Sequence, residues 1–326
     1  MRLLLGLTVR VANAAGLLLA VIVLNFLLIH LAPGDPAQVI AGEMGGASPQ
    51  VLASIRAAYG LDLPLHVQLG RYLLRALHGD LGYSFYFNQP VAQLILQRLP
   101  ATGLLMTTAL TFAAICGTVL GIAAARRPRG TINLAVTLLA IAGYAMPVFW
   151  SGLLLLLLFA SVLPLFPIGG MAEIGWPLAG WAYAESVAHH LVLPAFTLGI
   201  VYMAQYSRQS RAAMQDVLRA DFIRTARAKG LPEHTVVYKH ALRNAIGPVV
   251  TLLGLQFSEV LGGAVLVETV YGWPGMGRMV FDSILRRDYP TLLGILVVSA
   301  LLVMAASLLT DLAHRLVDPR IRLAGR

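Results

Sequence analysis

The sequence predicts an all-α membrane protein with six transmembrane helices, and three observations support that prediction. First, 58% of the 326 residues are hydrophobic and only 12% are charged, whereas a soluble domain carries about 25% charged residues. Second, six stretches are almost free of Asp, Glu, Lys and Arg, and each exceeds the roughly 20 apolar residues that cross a bilayer. Third, the basic residues are concentrated in every second connection between these stretches. An ordinary water-soluble enzyme and a disordered chain are therefore excluded.

The six stretches give the predicted spans in order. They comprise residues 11–34, 99–125, 130–172, 186–207, 244–267 and 289–310. The third is long enough for two helices, but its last part is rich in Pro and Gly and is interrupted by Pro164 and Pro167. Despite Pro147, we therefore expect one helix over 131–160 followed by a loop. The first is too long for the apolar region of a cleaved signal peptide, so we expect it to remain as a span.

The distribution of Lys and Arg predicts the orientation of the chain. Seventeen of the 24 basic residues lie before the first span, after the second, after the fourth or after the sixth, and seven lie on the other side. Cytoplasmic loops carry the basic excess, so we expect both termini in the cytoplasm and residues 32–98 outside. The net charge of +9 then reflects topology, and no nucleic-acid partner is expected.

The connections on the outer side contain candidate structure of their own. In the long loop 32–98, the stretches 51–59 and 67–77 predict short helices. Residues 161–190 are expected to form a loop without basic residues. The turn-rich run 271–277 is expected to form a re-entrant or mouth-capping segment.

The loop 208–243 is strongly basic and predicts defined structure. Residues 219–229 are compatible with a helix, Gly230 and Pro232 supply a stop, and 233–244 can form a second helix. We therefore expect a helix, a sharp turn and a helix on the cytoplasmic face. An ordinary positive-inside loop is the alternative, although such a loop needs no defined turn.

The sequence lacks the motifs of several kinds of enzyme. Lys229 and Lys239 do not form a GxxxxGK[ST] phosphate loop, and HExxH, CxxC and GxSxG are missing. The single cysteine, Cys116, excludes a disulfide framework. His189 and His190 are adjacent and point about 100° apart on a helix, which disfavours a shared metal site. No catalytic residue, metal site or cofactor is predicted.

Glu259 is the one charge inside a predicted span. A carboxylate at that depth is costly unless it is paired or hydrated, which makes it a candidate functional residue. Gly262 and Gly263 beside it permit close helix approach. Two interpretations stay open: Glu259 lines an aqueous translocation pathway, or it forms a hydrogen bond that packs neighbouring helices.

The stretch ADFIRTARAKG at 220–230 resembles the coupling segment of permeases in binding-protein-dependent ABC importers, and more narrowly that of the peptide/nickel subfamily. Gly230 holds the position of the family glycine, while 224–226 stand where the wider family has Glu-Ala-Ala. Seven further fragments agree in order, at span or loop boundaries. They lie at 33–36, 59–62 with 79–82, 98–102, 240–244, 268–277, 287–290 and 318–322.

The resemblance covers residues 1–322 and implies a type I ABC importer permease: a translocation subunit of the bacterial inner membrane, not an enzyme. The implied partners are a second homologous permease, two cytoplasmic ATP-binding subunits, an extracytoplasmic solute-binding protein and membrane lipid. The expected cargo is di- or oligopeptides, with nickel, a metal chelate or glutathione as alternatives. The residues implied in ATPase coupling are Asp221, Arg224, Thr225, Ala226, Lys229 and Gly230.

The expected organisation follows from the spans and the resemblance. Residues 1–31 form the cytoplasmic N-terminus and first span, 32–98 the outer loop, 99–322 the permease core with loop 208–243, and 323–326 a tail. A membrane-embedded enzyme would need paired catalytic groups at one depth. A stand-alone secondary transporter usually shows inverted repeats and several intramembrane charges. We find neither pattern in the sequence.

Overall fold

The computed structural model describes residues 16–27, 30, 37–38, 48–59, 62–84, 86–173, 175, 179–258 and 260–317. The α-helices of this part are α1 (Gly16–Leu27), α2 (Pro49–Tyr59), α3 (Leu65–Leu77), α4 (Val91–Arg126), α5 (Thr131–Ala145), α6 (Val148–Leu156), α7 (Gly180–Leu218), α8 (Asp221–Ala228), α9 (Leu242–Ala245), α10 (Gly247–Ser258), α11 (Val260–Val270), α12 (Met276–Arg286) and α13 (Tyr289–Val317). Two π-helical segments, Leu157–Val162 and Thr235–Ala241, follow α6 and precede α9. Strands β1 (Tyr83–Ser84) and β2 (Gln89–Pro90) form an antiparallel hairpin.

The chain divides into two compact units, and the smaller comprises Met1–Pro100 and Arg278–Met304. Its part within residues 32–98 contains α2, α3 and the hairpin, so the short helices predicted there are confirmed. Asp288 immediately precedes α13. Its carboxylate accepts hydrogen bonds from the backbone N–H and hydroxyl of Thr291 and from the hydroxyl of Ser84. All three side chains are buried, so the cap of α13 also holds the hairpin.

The larger unit comprises Ala101–Gly277 and Ala305–Arg326. Its core forms where α4, α7, α10 and α11 pack together around residues such as Leu105, Leu110 and Tyr206. Gly117 and Gly121 of α4 let the backbone of α7 approach, because a Cβ at either position would lie under 3.0 Å from α7 atoms. This small-xxx-small spacing is typical of helices that pack within membranes.

One helix over 131–160 is a wrong prediction. The structure has two helical segments, Thr131–Ala145 and Val148–Val162, bent by 102° relative to each other. Pro147 causes the break, because a residue before proline is driven out of the α conformation and Met146 has φ −84° and ψ 130°. The expected loop 161–190 is also too long, since α7 begins at Gly180 and continues through Pro194.

Three helical segments of the described residues are long and apolar enough to cross a membrane: Val91–Arg126, Gly180–Leu218 and Tyr289–Thr310. The bent pair gives a fourth if it counts as one span. The predicted first and fifth spans contain the shorter apolar helices Gly16–Leu27 and Gly247–Phe257. An all-α membrane protein is therefore confirmed, while the number of six spans stays a prediction.

Candidate functional site

The predicted coupling segment folds as a helix, a tight turn and a second helical segment. Helix α8 carries Asp221 in its first turn and Arg227 in its last, which matches the partial charges at helix ends. Ile223 and Ala226 are buried and pack with residues of α4, α7 and the π-helical segment after the turn. The sequence-based prediction of helix–turn–helix is confirmed.

Gly230 ends α8 in a Schellman motif. The N–H of Gly230 donates to the carbonyl of Arg227 at 2.9 Å, and the N–H of Leu231 donates to that of Ala226 at 3.4 Å. Gly230 has φ +74°, a conformation that glycine adopts without steric cost. A Cβ there would meet no heavy atom within 4 Å, so the turn requires glycine for its backbone and not for space.

An ion pair across the turn was not found by sequence reasoning. The guanidinium of Arg227 donates two hydrogen bonds to the Glu233 carboxylate, at 2.8 and 3.2 Å. The hydrogen bond from Arg227 lowers the pKa of Glu233 below its ordinary value. This bidentate pair joins the two arms of the turn. The opposite charges of Arg227 and Glu233 are visible in the sequence. Their contact is not, because it depends on the turn that Gly230 makes between them.

The six candidate coupling residues divide between two faces. Five of them are exposed: Asp221, Arg224, Thr225, Lys229 and Gly230. Ala226 is only 7% exposed and belongs to the core beneath α8. Phe222, which sequence reasoning did not single out, is exposed on the surface of α8, with 46% of its own surface accessible.

A second polar site lies inside the larger unit. The hydroxyl of Thr102 on α4 donates to the carboxylate of Glu268 on α11 at 2.6 Å, and the backbone N–H of Met276 donates to the same hydroxyl at 2.8 Å. Thr102, Glu268 and Met276 are each 0% exposed. Glu268 is thus a fully buried carboxylate, which sequence reasoning did not single out. Glu259, the candidate pathway residue, falls outside the described residues.

The run 271–277 is a buried turn in this unit. Tyr271 and Trp273 are 2% and 0% exposed. The indole N–H of Trp273 donates to the carbonyl of Ala101 at 2.9 Å, and the Tyr271 hydroxyl lies 2.8 Å from that of Thr197 on α7. Gly275 passes so close to the Glu268 carboxylate that a Cβ there would overlap it. The turn therefore ties several helices to one buried carboxylate.

Comparison with family models agrees with this architecture. Residues 117–323 match the model described as a binding-protein-dependent transport system inner membrane component. Residues 3–107 match the model for the N-terminal part of the same kind of membrane component. The two matches together cover most of the chain.

Named relatives and one solved structure extend the comparison. The chain is 38% identical to the dipeptide transport system permease protein DppB of Escherichia coli (strain K12), over 93% of this chain and 94% of that protein. It is 38% identical to the oligopeptide transport system permease protein AppB of Bacillus subtilis (strain 168), over 96% and 97%. A crystal structure of an amino acid ABC transporter with histidines matches in fold, with a TM-score of 0.50 at 17% identity, covering 68% of this chain and 94% of that chain.

These matches decide the class of the protein. A binding-protein-dependent importer contains a solute-binding protein and ATP-binding subunits besides its membrane component, and that component is a translocation subunit and not an enzyme. Both relatives match over nearly their whole length, so the likeness is not confined to one segment. The chain therefore belongs to the family of binding-protein-dependent transport system inner membrane components, the permeases of ABC importers.

Proposed function

We propose that this permease carries di- or oligopeptides. The observation that supports the proposal is the 38% identity, over more than nine tenths of the chain, to permeases named for dipeptide and oligopeptide transport. Cargo choice lies mainly with the solute-binding protein of such a system, so the test is made there. Mass spectrometry of the ligand that co-purifies with the partner binding protein should find short peptides. A nickel ion, a metal chelate or glutathione in its place would refute the proposal.

Helix α8 and the turn after it are proposed to dock on an ATP-binding subunit. Asp221, Arg224, Thr225 and Lys229 present an exposed polar face, and Phe222 offers an apolar anchor next to it. Ala226 and Gly230 act indirectly, one by packing α8 on the core and the other by allowing the turn. Because the core beneath α8 includes residues of α4 and α7, a push on α8 reaches two long helices. ATP-driven movement of the ATPases would then be transmitted as a rigid-body displacement.

Phe222 gives this docking proposal a sharp test. Interface energy concentrates in a few residues, and truncation of a buried apolar anchor typically costs 2 kcal/mol or more. Phe222→Ala should therefore weaken the affinity for the ATP-binding subunits roughly thirtyfold and lower their co-purification, without loss of the permease from the membrane. Phe222→Leu keeps an apolar side chain of similar reach and is the matched control. Equal recovery of the ATPases with both variants would contradict the proposal.

We propose a heteromeric assembly with a second homologous permease and two ATP-binding subunits, together with the solute-binding protein. Family membership supports the presence of ATPases and a binding protein, and the exposed apolar side chains on α6 leave surface for a partner permease. Native mass spectrometry of the purified complex should give one copy of this chain, one of a homologue and two ATPases. A complex with two copies of this chain would overturn the heteromer.

The proposed orientation places both termini and loop 208–243 in the cytoplasm and residues 32–98 outside. The bounds 1–31, 32–98, 99–322 and 323–326 belong to this proposal. Cysteine labelling tests it after replacement of Cys116. An impermeant reagent should label Ser48→Cys in intact cells, and Thr235→Cys only after the membrane is opened. The reverse pattern would invert the topology.

Glu259 is proposed to line the translocation pathway. A carboxylate within a span is stable where water reaches it, and it would attract a peptide ammonium by charge. If Glu259 lines the pathway, uptake of cationic cargo depends on its negative charge. If it packs neighbouring helices instead, uptake does not depend on that charge.

A further inference from the structure

An open groove lies between α5 and α7 in the larger unit. It has a volume of about 270 Å³. Apolar side chains form most of its wall, among them Val136, Ala140 and Ile141 of α5 and Ala204 of α7. Arg208 and Arg211 of α7 also line it, and both follow the predicted span 186–207. The groove thus combines a mostly apolar wall with two cationic side chains.

Among the residues that the structure describes, no acidic side chain neutralises the two arginines. None of the groove's lining residues is Asp or Glu. Within the described residues, no carboxylate forms a salt bridge with either arginine. The guanidinium of Arg211 instead donates to the hydroxyl of Thr137 at 2.9 Å, and that hydroxyl donates to the carbonyl of Asn133. Arg211 is held in place by a neutral partner, and its charge remains available to an anion.

The dimensions fit an amphiphile. The Arg211–Thr137 contact marks one end of the groove, and Tyr144 and Ala204 lie near the other. Seven residues of helix separate Thr137 from Tyr144, which is about 10 Å at 1.5 Å per residue. That length accommodates the upper part of an acyl chain inside a leaflet about 15 Å deep. The groove therefore combines a site for an anionic headgroup with a channel for hydrocarbon.

We propose that this groove binds an anionic phospholipid, with its phosphate at Arg208 and Arg211 and an acyl chain along α5. Basic pockets between transmembrane helices at the membrane surface are typical sites for such headgroups. A peptide would pair its carboxylate with the arginines, but its ammonium group would find no carboxylate among the residues that line the groove. The inference depends on the chain being a membrane permease and holds whatever its cargo is.

The test uses the complete importer in nanodiscs of phosphatidylcholine with a small share of phosphatidylglycerol that carries a photoreactive acyl chain. After irradiation, mass spectrometry should locate the label on residues 136–145 and 204–211. Loss of one arginine contact should weaken an anionic headgroup about fivefold, so Arg208→Gln should reduce labelling by that factor. Arg129→Gln removes an exposed basic residue outside the groove and should leave labelling unchanged.

A second variant removes the acyl channel without a change of charge. Ala140→Trp fills the middle of the groove and should also suppress labelling. The proposal is overturned if photoreactive phosphatidylcholine labels the same residues equally well, since that indicates ordinary boundary lipid. It is likewise overturned if Arg208→Gln labels like the wild type, if no label reaches the groove because a partner permease covers it, or if excess dialanine displaces the label.

Discussion

Replacement of Thr102 by valine should destabilise the larger unit substantially. Valine has the shape of threonine but no hydroxyl, so the substitution removes two hydrogen bonds at one site. The Glu268 carboxylate loses the donor at 2.6 Å, and the backbone N–H of Met276 loses its acceptor at 2.8 Å. Because all three residues are 0% exposed, water does not replace either contact.

The magnitude follows from these two contacts. The backbone N–H of Met276, once it lacks an acceptor, costs about 1–3 kcal/mol, and the loss of one of the hydrogen bonds to the buried Glu268 costs roughly 1–2 kcal/mol. Thr102→Val should therefore lower the free energy of unfolding by roughly 2–5 kcal/mol. Thr102→Ser is the matched control, because it keeps the hydroxyl and loses only a methyl group, worth about 1 kcal/mol. The order of stability should be wild type, then serine, then valine.

Thermal unfolding of the purified complex in detergent measures this order, with peptide uptake in proteoliposomes as a second readout. Hydrogen bonds between membrane helices average only about 0.6 kcal/mol when the groups find other partners. A valine variant within about that margin of the serine variant would therefore refute the reasoning. It would mean that Glu268 is satisfied without Thr102, and that the turn 271–277 does not depend on this contact.

Three further predictions concern the coupling turn and the pathway. Gly230→Val should abolish coupled transport while the permease still reaches the membrane, because a β-branched residue strains at φ +74°. Gly230→Asn, which tolerates this conformation, should retain much of the activity, and equal uptake by both variants would contradict the backbone argument. Glu233→Gln should weaken the turn by at most about 1 kcal/mol at neutral pH, since its ion pair with Arg227 is half exposed. The lowered pKa of Glu233 means that the pair stabilises the fold above the ordinary carboxyl pKa. That contribution is lost as pH falls through the lowered value, so the difference between the variant and the wild type in urea titrations should vanish in acid. Glu259→Gln should reduce uptake of cationic peptides more than that of neutral ones; unchanged uptake of both, or failed assembly, would assign it to packing.

The sequence by itself determined the class of the protein and the local form of the segment 219–244. In a bilayer, the backbone N–H and C=O groups of long uncharged stretches must bond within the chain, as they do in a helix, because hydrocarbon offers the backbone no hydrogen-bond partner. Gly230 and Pro232 specify the end of α8 through backbone conformation, which is a local property and therefore readable from order along the chain. The short helices α2 and α3 are likewise local structure, and the sequence predicted both.

Only the tertiary structure decided which side chains meet. Thr102 and Glu268 are 166 residues apart, and no periodicity relates them. The bend at Pro147, which the sequence analysis did not predict, depends on how α5 and α6 pack against α7 and α11. The sequence-based candidates included Ala226 and not Phe222, yet packing buries the first and exposes the second. Contacts of this kind depend on the three-dimensional path of the chain, because pairs so far apart are brought together by the packing of several helices at once.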